Sequence, residues 1–210
     1  MATFERQLEE KTAAREKALV AARRSIRFSA NSIRAIHRGE FEEAHQLMEQ
    51  SRSAIQSARE SVRDDHPDVY FAGFIQDAQK EYAEARLTEA LVLGRDLPLP
   101  EELNVEVAPY LNGMAESIGE GRRAILDLLR QGHVDRSEQI LAAIEDMYYL
   151  LVSMDFPDAV TRNLRRSTDA ARGIMERTRG DLSMSLVQRN LQEALKRHAR
   201  QLEESPGSDP

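Results

Sequence analysis

The strongest constraint in this sequence is a repeated three-four spacing of apolar and small side chains. Leu19, Ala22, Ile26, Ser29, Ile33 and Ile36 step by 3, 4, 3, 4 and 3 residues. Phe41, Ala44, Met48, Ser51, Ile55, Ala58 and Val62 keep that rhythm, and Val107, Leu111, Met114, Ile118, Gly121, Ile125 and Leu128 repeat it. Such steps return to one side of a 3.6-residue turn, so each segment is a helix with a single core-facing stripe. No segment alternates with the period of two that a half-buried strand needs. Pro and Gly gather at His66-Pro67, at Leu97-Pro98-Leu99-Pro100, at Gly132, at Phe156-Pro157 and in the last six residues, and these punctuate the helices. The spacing predicts helices over about 3–37, 41–63, 68–94, 105–130, 135–152 and 157–201, the last with a kink at Gly180-Asp181. The expected fold is all-α: an antiparallel bundle of six or seven long helices. One helical domain is expected over 1–203, with a disordered tail at 204–210.

The chain has no cysteine, which removes disulfides, thiolate metal sites and thiol nucleophiles. No apolar run approaches the ~20 residues that span a bilayer, and the N-terminus lacks the basic and apolar regions of a signal peptide. The expected location is the cytoplasm, with no membrane contact. The histidines have no metal spacing, and there is no phosphate-cradling glycine motif, nucleophile elbow or HExxH.

Net charge is -7, yet residues 11–38 hold eight basic side chains and one acidic, Glu16. Within them Arg23, Arg27, Arg34 and Arg38 fall within about 60° of one another on a helix. That positive ridge suits a phosphate backbone, and equally suits a solvated face that pairs with another subunit. With no Trp and few aromatics to stack on bases, the ridge fits phosphate contact better than sequence readout.

Four carboxylates stand out. Glu81 and Glu84 are spaced i,i+3 and Glu116 and Glu120 i,i+4, so each pair lies on one face of its helix. Two facing helices carrying such pairs can hold a hard cation, Mg²⁺ or Mn²⁺, that activates water for phosphodiester cleavage. Among 36 acidic residues the same spacing also arises on ordinary solvated faces. Glu81 continues the apolar steps Phe71, Phe74 and Ala78, and a carboxylate in such a seam must be paired, protonated or metal-bound. Glu116 and Glu120 fall off the Leu111-Met114-Ile118 stripe.

Three stretches resemble the translin and translin-associated factor X family, in order and separation, over roughly residues 11–195. They are Arg23-Arg24-Ser25-Ile26-Arg27 with Ala35-Ile36-His37-Arg38-Gly39, then Gln79-Lys80-Glu81-Tyr82-Ala83-Glu84-Ala85, then Tyr110-Leu111-Asn112-Gly113-Met114-Ala115-Glu116-Ser117-Ile118-Gly119-Glu120. The second and third resemble the factor X branch, whose acidic set forms a Mg²⁺-dependent endoribonuclease site; the translin branch lacks that set and only binds. The resemblance implies that Glu81, Glu84, Glu116 and Glu120 are catalytic metal ligands, with Glu116 standing where that branch has Asp. It also implies binding of single-stranded RNA, and of single-stranded DNA, and assembly into a closed homo-octamer. Against this nuclease reading stand a non-catalytic binding module and a purely structural helical protein.

Overall fold

A computed structural model describes residues 2–204 of the chain. The elements in order are α1 (Ala2–Arg38), α2 (Phe41–Glu60), α3 (Pro67–Tyr70), α4 (Phe74–Leu93), α5 (Pro100–Leu103), α6 (Val107–Arg130), α7 (Val134–Ser153), α8 (Asp158–Thr161) and α9 (Leu164–Glu204). The described residues contain no strand, and six of the helices are long, so the all-α bundle stands. α4 and α6 form its centre: α4 packs on α1, α2 and α6, and α6 packs on α4, α7 and α9.

Apart from Val107, which is exposed at the start of α6, the stripes read from the sequence face the core. Ile33, Ile36, Met48, Ile55, Met114, Ile118 and Ile125 are all buried. The serines in those stripes serve close helix packing. Ser51 of α2 lies between Ser25 and Ser29 of α1, with hydroxyl oxygens 2.7 and 2.8 Å apart, so the small polar groups satisfy one another in the α1–α2 seam.

Two predicted helices are interrupted. The segment expected as one helix over 68–94 is α3 and α4, separated at Phe71–Gly73. Gly73 takes a φ of +111°, which a helix cannot accommodate, and the Arg162 guanidinium donates to its carbonyl at 3.3 Å. The segment expected from 157 is α8 and α9, parted by Arg162 and Asn163 at φ of 56° and 63°. α9 then runs unbroken through Gly180, so the chain breaks at 162–163 and not at 180–181. A single turn, α5, fills the proline-marked connection before α6. Of the expected tail, Glu204 is helical and residues 205–210 lie outside the described residues.

The contact that sets the centre is between α6 and α4. A Cβ at Gly113 would lie 2.6 Å from the Lys80 carbonyl oxygen and 3.0 Å from both Ala83 Cβ and Glu84 N. Only a glycine lets the two backbones approach this closely. Around the contact, Glu106 at the start of α6 accepts hydrogen bonds from Tyr70 Oη, Gln76 Nε2 and Gln79 Nε2 at 2.7, 3.3 and 3.0 Å, and its own N–H donates to Gln79 Oε1 at 2.7 Å. These bonds fix the register of α6 along α4. Overpacking at such a site costs about 1–3 kcal/mol. Gly113→Ala is therefore expected to lower unfolding stability by that amount in urea denaturation. A variant as stable as wild type would show that the α4–α6 spacing is not fixed by this contact.

Candidate metal centre

The register places Lys80, Glu81 and Glu84 of α4 against Glu116 of α6, one turn beyond Gly113. Carboxylate oxygens of Glu81, Glu84 and Glu116 all lie within 4.8 Å of one another. Glu84 lies deepest; the Glu81 side chain is 25% exposed and that of Glu116 39%. Sequence spacing favoured Glu81 as the buried member, and the structure gives that place to Glu84. The reason is the helix's orientation: Phe71, which began the presumed seam, precedes the break at Gly73 and is exposed. Glu116 had looked solvent-facing, and the Gly113 contact turns it into the cluster.

The fourth carboxylate is held differently. Glu120 stands outside the trio and accepts a hydrogen bond from His37 Nε2 at 2.5 Å, with the Arg123 guanidinium 3.9 Å away. The hydrogen bond from His37 outweighs burial and keeps the Glu120 carboxyl below its ordinary range. His37 closes α1, so this bond ties the first helix to the acidic wall. In the sequence His37 has no metal spacing and is placed only in the family-like turn that closes the first helix.

Lys80 was not singled out in the sequence. Its Nζ is 2.6 Å from Glu116 and 3.2 Å from Glu81, seated between two members of the trio. Burial disfavours the ammonium, but Glu116 and Glu81 more than compensate, and its pKa is raised. The Glu84 side chain has no hydrogen bond or ion pair among the described residues, and the Lys80 charge offsets its burial only in part. Burial, with Glu81, Glu116 and Glu120 adding repulsion, pushes its pKa up to about 8.

Two cavities flank the trio and share Glu116 and Ser167. One, of about 440 Å³, is lined by Gln76, Asp77, Lys80, Arg162 and Asn163 among others. The second, of about 410 Å³, is lined by Glu84, Ala115, Arg166 and Ile174 among others. The turn between α8 and α9 forms one wall of the first, and the start of α9 forms one wall of both. The turn is pinned to α6 by Asn112, whose Nδ2 donates to the Thr161 carbonyl at 2.8 Å and whose Oδ1 accepts from Ser167 Oγ at 2.8 Å. The ridge arginines Arg23, Arg27, Arg34 and Arg38 all lie exposed on α1. Arg38 pairs with Glu40 and Glu43, and Arg34 bonds Asn31 at 2.8 Å.

A fold of six long helices in this order has counterparts among solved structures. The crystal structure of AfC3PO superposes with a TM-score of 0.80 at 33% identity, over 90% of this chain and 99% of that one. AfC3PO in complex with duplex RNA matches with a TM-score of 0.78 at 33% identity, over 90% of this chain and 98% of that one. The chain belongs to the translin family. Apo-NeC3PO shares the translin fold at 18% identity, with a TM-score of 0.78 over 88% of this chain and 96% of that one. An uncharacterized protein of Methanocaldococcus jannaschii is 33% identical over 128 residues, 60% of this chain and 57% of that protein. The match thus spans little more than half of that curated relative's length. No protein-family model matches the chain.

In this translin-family chain the raised Glu84 pKa links the site to stability. The folded state holds a proton on Glu84 that the unfolded chain releases near the ordinary glutamate value of 4.5. Stability is therefore full below that value and is lost as pH rises towards about 8. The loss amounts to a few kcal/mol, roughly 1.4 per pKa unit. Glu84→Gln should remove this slope, so chelator-treated variant and wild type should diverge in denaturant midpoint between pH 5 and 9. Parallel curves would mean that Glu84 is ionised in the folded protein at neutral pH.

Proposed function

We propose that this protein is a metal-dependent endoribonuclease acting on single-stranded or nicked RNA. The observation that carries the reading is the convergence of Glu81, Glu84 and Glu116 oxygens beside two polar cavities. The donor set fits Mg²⁺ or Mn²⁺, which take carboxylate oxygens, and a cationic ammonium already rests among them. Glu81, Glu84 and Glu116 would hold the ion, and Glu120, fixed by His37, completes the acidic wall. When bound, such an ion supplies an activated water and neutralises charge on the leaving oxygen. The chain's own residues do the rest. Arg166, exposed at the mouth of the second cavity with no hydrogen bond from its guanidinium among the described residues, is placed to hold a phosphate next to the carboxylates. The α1 ridge of Arg23, Arg27, Arg34 and Arg38 would hold phosphates further along the strand. AfC3PO, similar over nearly its whole length, has a solved structure in complex with duplex RNA, which favours RNA as the ligand here.

A homo-octamer is part of this proposal. It is supported by apolar side chains left uncovered in a single chain: Met184, Val187, Leu191 and Leu195 at helical spacing along α9, all more than half exposed. No helix among the described residues is long and apolar enough to cross a membrane, and we place the protein in the cytoplasm. A second reading, a non-catalytic module holding single-stranded RNA or DNA, draws on Glu116. It stands where the active branch has Asp, and Mg²⁺ tolerates displaced ligands poorly.

Incubating the protein with labelled single-stranded RNA in Mg²⁺, in Mn²⁺ and in chelator separates the two readings. Cleavage should require metal, and Glu81→Gln should reduce it about 100-fold or more with RNA binding intact. Intact RNA in every metal, with binding retained, would leave the module reading. The phosphate contacts have their own test in the salt dependence of binding. Each lost contact should flatten the log–log slope by about 0.7, so Arg27→Ala with Arg34→Ala should remove about 1.4 and Arg166→Ala about 0.7. An unchanged slope in either variant removes those residues from the interface. Light scattering during size exclusion should give a mass about eight times the 23.8 kDa chain, and a monomer at micromolar concentration rejects the octamer.

A further inference from the structure

Among the described residues Lys80 is the one cation inside the acidic trio, and its position conflicts with a metal there. Its Nζ lies 2.6 Å from Glu116 Oε1 and 3.2 Å from Glu81 Oε1, on two of the three carboxylates that converge. An ammonium and a divalent ion cannot share those oxygens, because two positive charges a few ångströms apart repel strongly in a half-buried site. The cavity that Lys80 lines offers a second seat. Gln76 is 3% exposed, and its Oε1 is a buried acceptor with no hydrogen-bond partner among the described residues. Asp77 lines the same cavity, where one of its oxygens pairs with Arg162 at 3.0 Å and the other is not engaged by that guanidinium. Gln76 and Asp77 precede Lys80 by four and three residues on α4, the spacing at which helical side chains meet.

We propose that Lys80 is a built-in counter-ion that holds the carboxylates together without metal and must swing into the Gln76–Asp77 cavity when a divalent cation binds. There the ammonium satisfies the Gln76 carbonyl and faces the space beside Glu116, where a nucleic-acid phosphate would lie. Metal loading would thus deliver a free lysine to the substrate side of the site. This inference rests on the metal-binding reading above and concerns Lys80 alone.

The test is Mn²⁺ binding by titration calorimetry to chelator-stripped wild type, Lys80→Met and Lys80→Gln, each checked for helix content by circular dichroism. Without its internal competitor the site should bind Mn²⁺ at least tenfold more tightly in whichever variant folds. Amine acylation followed by peptide mass spectrometry gives an independent readout. The chain has only three other lysines, Lys11, Lys17 and Lys196, as internal references. Lys80 should label several-fold faster in Mn²⁺-saturated wild type than in chelator, with the references unchanged. Equal or weaker Mn²⁺ binding in the variants, or Lys80 labelling that ignores saturating Mn²⁺, overturns the proposal while wild-type binding keeps the metal reading. No Mn²⁺ binding in any of the three proteins overturns both.

Discussion

The site depends on one steric fact, the absence of a side chain at Gly113. With the α6 backbone resting on Lys80, Ala83 and Glu84, the carboxylate one turn later on α6 meets those of α4. A side chain at that point would push the helices apart. Carboxylate arms are short, and three oxygens within 4.8 Å leave little slack. The Glu106 network then fixes sliding along the contact, since Gln79 both donates to the Glu106 carboxylate and accepts from its N–H. Distance is set by a missing Cβ and register by a polar lock.

Bringing like charges together has an electrostatic cost, and the protein meets it in three ways. Lys80 neutralises Glu81 and Glu116 directly. A hydrogen bond from His37 and the nearby Arg123 guanidinium stabilise the Glu120 carboxylate. Glu84, deepest and only partly offset by the Lys80 charge, keeps a proton instead, which is what a carboxyl pushed up to about 8 does at neutral pH. Each device is reversible: an ammonium can move and a proton can leave. A site that neutralises itself in this way can remain folded without metal and still present oxygen ligands when one arrives. A fully buried ion pair with fixed partners would not leave those oxygens available.

Much of the fold was legible because helical periodicity is a local signal. Except for the exposed Val107, the stripes of α1, α2 and α6 became the inward faces, and the serines inside them became an interhelical hydrogen-bonded seam. Breaks at proline were visible; the breaks at Phe71–Gly73 and at Arg162–Asn163 were not. Asn and Gly tolerate positive φ, but whether they adopt it is decided by tertiary contacts such as the Arg162 guanidinium on the Gly73 carbonyl. The acidic residues of the trio were legible as types and spacings. Their relative depth was not, because it depends on how α4 is rotated against α6. Lys80 and His37 were invisible as site residues, since nothing local distinguishes a lysine that pairs across helices from one in solvent.

The turn between α8 and α9 shows how backbone strain and site geometry join. Arg162 and Asn163 adopt left-handed conformations in succession. For arginine this costs about 1–3 kcal/mol, and such conformations persist only where surrounding contacts over-determine them. Those contacts are present: Asn112 clamps the Thr161 carbonyl and Ser167, and Arg162 bridges to the Gly73 carbonyl and Asp77 at 3.3 and 3.0 Å. The same Arg162 therefore ends α8 and caps the break before α4. The consequence is directional. α9 starts beside Glu116, and its first turn carries Arg166 and Ser167 to the walls of the cavities that flank the carboxylates. Had the chain continued as one helix from residue 157, as its periodicity alone suggests, those side chains would have followed a different axis. The interruption that sequence periodicity missed is what gives the acidic centre its basic wall.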